Sequence, residues 1–207
     1  MAAPLKSAVV VEVDRLVERM LEIAIVTWSA AGWVRYDDME VNCSIQLFRF
    51  GDEAIRNTPR LRVLSLNLEW FQPTVAMLHG NESAVGMRRP DLRVSVGHHA
   101  ARILECKRLA ASGGLPREYV EEGMTRFLSG DYEVGEDAGY MIAYLSDDEV
   151  ASIAAVNQLV RLHPDMGNSH QLGGRRQTVP VASWYSSSHP RVDRSRLSLR
   201  HFVVWLP

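Results

Sequence analysis

The stretch RILECKRL, Arg102 to Leu109, constrains the chain more than any other. Ile, Leu and Cys at this density read as a core strand, yet Glu105 and Lys107 stand two residues apart within it. Side chains two apart on a strand share a face. Glu105 and Lys107 therefore lie on the face of Ile103, and Leu104 and Cys106 on the other. A buried carboxylate or ammonium costs several kcal/mol unless it is paired or holds an ion. The two charges either satisfy each other or belong to a site.

The flanking sequence brings a further acid to them. RPDLRVSVGHHAARILECKRL reads as two strands, Leu92 to Val96 and Arg102 to Leu109, joined through Gly97, His98, His99 and Ala100. A hairpin is natural there. A turn centred near residue 98 makes opposing residue numbers sum to about 196, so Asp91 stands opposite roughly Glu105. Two carboxylates that close repel unless a cation lies between them. A hard divalent ion with oxygen ligands suits them, Mg2+ first. A lysine beside that ion can stabilise a phosphate's charge or orient a water. Composition adds weight. Of 23 basic residues only Lys6 and Lys107 are lysine, and lysine's pKa responds to desolvation where arginine's does not.

Elsewhere the pattern alternates helices and strands. Residues 8–27 are amphipathic, with Leu16, Met20, Ile23 and Ala24 on one side. Residues 36–57 form a second helix. Leu64, Leu66, Leu68 and Trp70 alternate with polar residues, a strand near 61–71. Gly113, Gly114 and Pro116 introduce a helix over 116–129. AGYMIAYL, 138–145, is a buried strand. Ser146 and Glu149 form a capping box for a helix over 147–162. HPDMGNSHQLGGRRQT reads as a loop, and RLSLRHFVVWLP as a last strand. The order implies a mixed sheet with helices on its faces.

Pro90-Asp91 followed by Glu105-Cys106-Lys107 resembles the PD-(D/E)xK motif of the restriction-endonuclease-like nuclease superfamily. The resemblance implies an α/β fold with an αβββαβ core, here about 36–145. The N-terminal helix, the helix at 147–162 and the last strand are additions within a single domain spanning 1–207. It implies metal ligands at Asp91, Glu105 and the Cys106 backbone carbonyl, with Lys107 assisting the attacking water. Glu40, on the first core helix, is the candidate for a further acid. Tyr119, Glu122 and Arg126 are candidates to face the phosphate, and Arg88, Arg89 and Arg108 to line the cleft. The expected activity is Mg2+-dependent DNA cleavage, with Mn2+ able to substitute, in restriction, phage defence or repair. Two readings compete with it. One is a non-catalytic module of the same fold that binds DNA or a partner protein. The other is an unrelated α/β interaction protein whose Glu-Lys pair is structural. A homodimer is compatible with each.

The bulk numbers narrow the setting. Residues 163–207 hold six arginines and two aspartates, a net +4, which leaves −6 on the preceding residues of a chain at −2. Such a segment either follows a polyanion's backbone or forms a solvated arginine-rich surface. Cys43 and Cys106 make no disulfide framework, which points to reduced thiols and the cytoplasm. The N-terminal apolar run is broken by Glu12 and Asp14 and is no signal peptide. No stretch approaches the roughly 20 apolar residues of a membrane span. His98 and His99 fall in the turn. His163, His170 and His189 lie in loops without ligand spacing. Ser186–Ser188 beside His189 form no nucleophile motif.

Overall fold

In α1, Ala3–Ala30, the positions Val13, Leu16, Val17, Met20, Leu21, Ala24, Ile25 and Trp28 are all buried. Their spacing of three and four is one helical stripe. The helix runs further in both directions than the periodic segment 8–27 suggested. Trp28 closes its end by donating Nε1–H to the Val34 carbonyl at 2.9 Å. Helix α2, Glu40–Asn57, starts four residues later than the sequence pattern implied. Asp37 explains the delay: its carboxylate accepts the Met39 N–H and the Asn42 amide, both at 2.8 Å, and holds the chain extended before the helix.

The computed structural model describes residues 3–68, 91–97, 100–129, 132, 138–190 and 196–207, with side chains from residue 11 onward. The strands are β1 (Leu64–Leu68), β2 (Leu92–Val96), β3 (Ala100–Leu109), β4 (Ala138–Leu145), β5 (Gly173–Val179), β6 (Ala182–Pro190) and β7 (Arg196–Trp205). They form one mixed sheet in the order β1-β2-β3-β4-β7-β6-β5. The central strands β3, β4 and β7 are mutually parallel, and the flanking pairs are antiparallel. Helix α3 spans 115–128 between β3 and β4, and its middle, Glu118–Met124, is wound as a π-helix. Helix α4 is Glu149–Leu162.

Two cores lie on opposite faces of the sheet. Under α1 and α2 sit Leu104, Cys106, Tyr140, Ile142, Tyr144, Trp184 and Phe202. Under α3 and α4 sit Ile103, Leu109, Met141, Ala143, Leu199 and Val203. Strand β4 is buried along its whole length, as expected for a parallel strand covered on both sides. The architecture is thus α/β, with a seven-stranded mixed sheet between helical layers.

Three expectations change. The capping box does not form. Helix α4 begins two residues later, where the Asp148 carboxylate accepts the Ala151 N–H at 2.7 Å, while the Ser146 N–H bonds to the Leu109 carbonyl. The segment taken as a loop contains β5, and β6 follows it, so the sheet has a hairpin that hydropathy did not show. His189 consequently lies in a strand, not a loop. It joins a buried polar chain. His170 Nδ1 meets His189 Nδ1 at 3.1 Å, and Ser187 Oγ bridges His189 Nε2 and His201 Nε2 at 2.7 and 2.8 Å. His201 Nδ1 then meets the Tyr119 hydroxyl at 2.8 Å. The C-terminal arginines are also engaged: Arg175 pairs with Glu149, Arg176 with Glu18, and Arg200 with Asp14 and Glu18. They fasten the β5–β7 edge to α1 and α4. Arg191 and Arg194 lie outside the described residues.

Candidate active site

The β2–β3 ladder pairs Leu92 with Leu104, so the next position sets Asp91 opposite Glu105. The ladder ends there. Among the described residues β3 has no strand neighbour on this side beyond that point, and the Asp91 carboxylate accepts the Cys106 N–H there at 2.7 Å. A strand residue's N–H and C=O point to the same side. The Cys106 carbonyl therefore also faces this edge, beside Asp91. The Arg108 N–H points the same way and donates to Glu40 Oε2 at 3.2 Å. The site sits where one strand stops and its neighbour goes on.

Alternation places Ile103, Glu105 and Lys107 on the α3 face, all buried. Glu105 is 0% exposed. Its Oε1 is 3.1 Å from Lys107 Nζ and also pairs with Arg126 Nη1. The Tyr132 hydroxyl donates to its Oε2. Lys107 has a second partner, Glu40 Oε1 at 2.8 Å, at the start of α2. Gly123 lets α3 settle onto this spot. A Cβ there would come 2.5 Å from Met141 Cε and 3.4 Å from Lys107 Cγ.

The electrostatics are those of crowded acids. Burial, and then the charge of Asp91, push the Glu105 carboxyl up to about 7, against the pull of Lys107, Tyr132 and Arg126. Burial also raises Asp91, with Glu40 adding to it, while the Cys106 N–H and Lys107 oppose the shift. Burial works against the charge on Lys107, but Glu105, Glu40 and Asp91 together outweigh it and raise its pKa. Lys107 is therefore a fixed cation. As such it can stabilise negative charge or orient a water. Burial pushes the Cys106 thiol far up, as expected of a core cysteine that is no nucleophile.

Of the residues read as a site, Asp91, Glu105, Lys107, Glu40 and Arg126 converge. Tyr119 does not: it is buried against His201. Glu122 is exposed on the far side of α3. The Arg108 side chain lines a separate cavity of about 320 Å3 with Arg35, Asp38, Tyr144 and Ser146. Arg88, Arg89, His98 and His99 lie outside the described residues. Tyr132 was missed, since a lone tyrosine in a connection carries no signal in sequence.

The donors fit a hard divalent ion in kind, since each is an oxygen. Among the described residues no three His, Cys, Asp or Glu side chains are placed to share an ion. The protein's share would be the carboxylates of Asp91 and Glu105 and the Cys106 carbonyl. Burial is the main cause of the raised pKa of both acids, and a neighbouring carboxylate adds to it in each. Compared with known proteins, the chain matches no family model, and no curated protein or solved structure is significantly similar to it.

Proposed function

We propose that the protein is a divalent-metal-dependent nuclease that hydrolyses DNA phosphodiester bonds at Asp91, Glu105 and Lys107. The observation that carries this reading is the meeting of two carboxylates, Asp91 set against Glu105, with the buried Lys107 ammonium, 3.1 Å from Glu105 Oε1, at a strand end. It supports the PD-(D/E)xK resemblance and a restriction-endonuclease-like core around β1, β2, β3, α3 and β4. Mg2+ is the expected ion and Mn2+ a substitute.

A bound ion would supply the Lewis acid that polarises the phosphate and lowers the pKa of its water. Asp91 and Glu105 would hold it, with the Cys106 carbonyl as third donor. Asp91 is itself fixed by the Cys106 N–H. Lys107, braced by Glu40, presents its ammonium to the phosphate's developing charge. Restriction, phage defence or repair in the cytoplasm would be the setting.

A second reading rests on a different observation. Both Glu105 oxygens are already bonded within the protein, which also suits a non-catalytic nuclease-fold module that binds DNA or a partner protein. A cleavage assay separates the two. Supercoiled, linear and single-stranded DNA and RNA are incubated with Mg2+ or Mn2+, with Asp91→Ala and Lys107→Ala beside wild type. The nuclease reading expects cleavage that falls by at least ~100-fold in both variants, whose circular dichroism is unchanged. Folded wild type that cuts nothing favours the module.

A further inference from the structure

Two cations hold the same oxygen of Glu105, and they are not equivalent. Lys107 has a second anchor in Glu40 at 2.8 Å. Arg126 has none among the described residues beyond a 3.5 Å contact from Nη1 to the Tyr132 hydroxyl. Its Nε is buried and has no hydrogen-bond partner. A guanidinium offers five N–H groups in a planar fork, matched to two oxygens of a carboxylate or phosphate. Here Nη1 alone carries its bonds. Its side chain is 21% exposed, so it lies between the interior carboxylate and the open edge where β2 ends.

Resting on the metal-dependent reading above, we propose that Arg126, paired here with Glu105, is a phosphate-binding residue, and that a divalent ion and Arg126 compete for that carboxylate. With Glu105 given over to a bound ion, Arg126 would lose its carboxylate partner. Lys107 stays in place because Glu40 holds it. Arg126 is then a free fork beside the metal, and the anion nearest to it is the substrate phosphate, which it can grip through two oxygens. In the absence of metal the same pairing neutralises Glu105 and withholds Arg126 from nucleic acid. The site would bind substrate strongly only when loaded.

The exchange gives Arg126 a signature that a merely structural ion pair lacks: its removal strengthens one ligand and weakens the other. Mn2+ is titrated calorimetrically into the full chain, wild type beside Asp91→Ala, Arg126→Gln, Arg126→Lys and Tyr132→Phe, each checked for folding by circular dichroism. Arg126→Gln removes the competing charge and binds Mn2+ roughly ten- to a hundredfold tighter than wild type, the span expected from losing one charge-assisted hydrogen bond. Arg126→Lys, which keeps a charge, and Tyr132→Phe, which removes none, stay near wild type. Binding of a labelled DNA duplex is then followed in the Lys107→Ala background, which suppresses cleavage. Adding Arg126→Gln weakens binding when Mn2+ is present and leaves it unchanged in chelator. If wild type binds no Mn2+, or Asp91→Ala binds it equally well, the metal reading fails and the exchange with it. If Asp91→Ala loses Mn2+ while Arg126→Gln binds it no tighter than wild type, the metal site stands and the exchange is refuted.

Discussion

Strand β3 buries charge on both faces, and the two burials are built differently. On the α1 face, Arg102 meets Asp14 at 2.7 Å, the Tyr140 hydroxyl donates to the same oxygen at 3.0 Å, and Arg200 reaches the other at 3.3 Å. Arg200 and Arg176 also bind Glu18. Two acids are thus surrounded by three arginines. On the α3 face, Asp91, Glu105 and Glu40 share Lys107 and Arg126. Among the described residues, three acids there have two cations. The first cluster has at least one arginine for each acid and acts as a staple between α1 and the sheet. The second, among the described residues, leaves acid in excess, and burial together with the neighbouring acids raises Asp91 and Glu105. That crowding supports the cation site proposed above, since perturbed acids cluster at functional sites.

The largest expected effect falls on the staple. Asp14→Ala leaves Arg102 buried without its carboxylate and costs ~3–5 kcal/mol in urea unfolding. Mn2+ binding by the folded fraction is unchanged. Loss of Mn2+ binding in this variant would erase the distinction between the faces.

The next effect is a pH dependence. The folded protein keeps the Glu105 proton to about 7, whereas the ordinary value is 4.5. Folding takes up a proton in that window, so Glu105's contribution is fully present below 4.5 and is lost as pH rises towards 7. His189 and His201 run the other way. Burial holds them down to about 4 and about 3 from an ordinary 6.5, so their contribution is lost as pH falls below 6.5. The two trends offset one another in wild type. The difference between wild type and Glu105→Gln isolates the first. It shifts in favour of the variant by on the order of 3 kcal/mol between pH 4.5 and 7. A flat difference would mean that Glu105 is ionised throughout.

Smaller effects test the platform. Gly123→Ala drives a methyl into Met141 and crowds Lys107, and ~1–3 kcal/mol of overpacking moves α3 off the site. Cleavage drops while the Asp14 cluster is undisturbed, which unfolding and activity assays distinguish. Tyr119→Phe removes one hydrogen bond to His201 and costs ~1 kcal/mol, with Mn2+ affinity unchanged.

Much of the site was legible in sequence because a hairpin converts residue numbers into contacts. The turn near 98 fixed the register that sets Asp91 against Glu105, and the observed pairing of Leu92 with Leu104 is the same register. Strand β4 was legible because burial on both faces demands a continuous apolar run. The β5–β6 hairpin was not. β5 is exposed along nearly its whole length and shows no alternation. β6 carries serine and histidine inward, because His170, His201 and Tyr119 satisfy them. Asp14 looked like a solvent position between apolar neighbours. Its partner is 88 residues away, and no local pattern announces it. The π winding of α3, which Gly123 helps to seat against the sheet, is equally invisible to a 3.6-residue period.

The central claim, proposed above, is that a divalent cation binds at Asp91 and Glu105 and not at the Asp14 cluster. Thermal unfolding with and without saturating Mn2+ tests it most directly, for wild type, Asp91→Ala and Glu105→Gln. An ion bound only by the folded state raises the melting temperature through mass action. The account predicts a clear rise for wild type and none for either variant. No rise in wild type, or the same rise in all three, would contradict it.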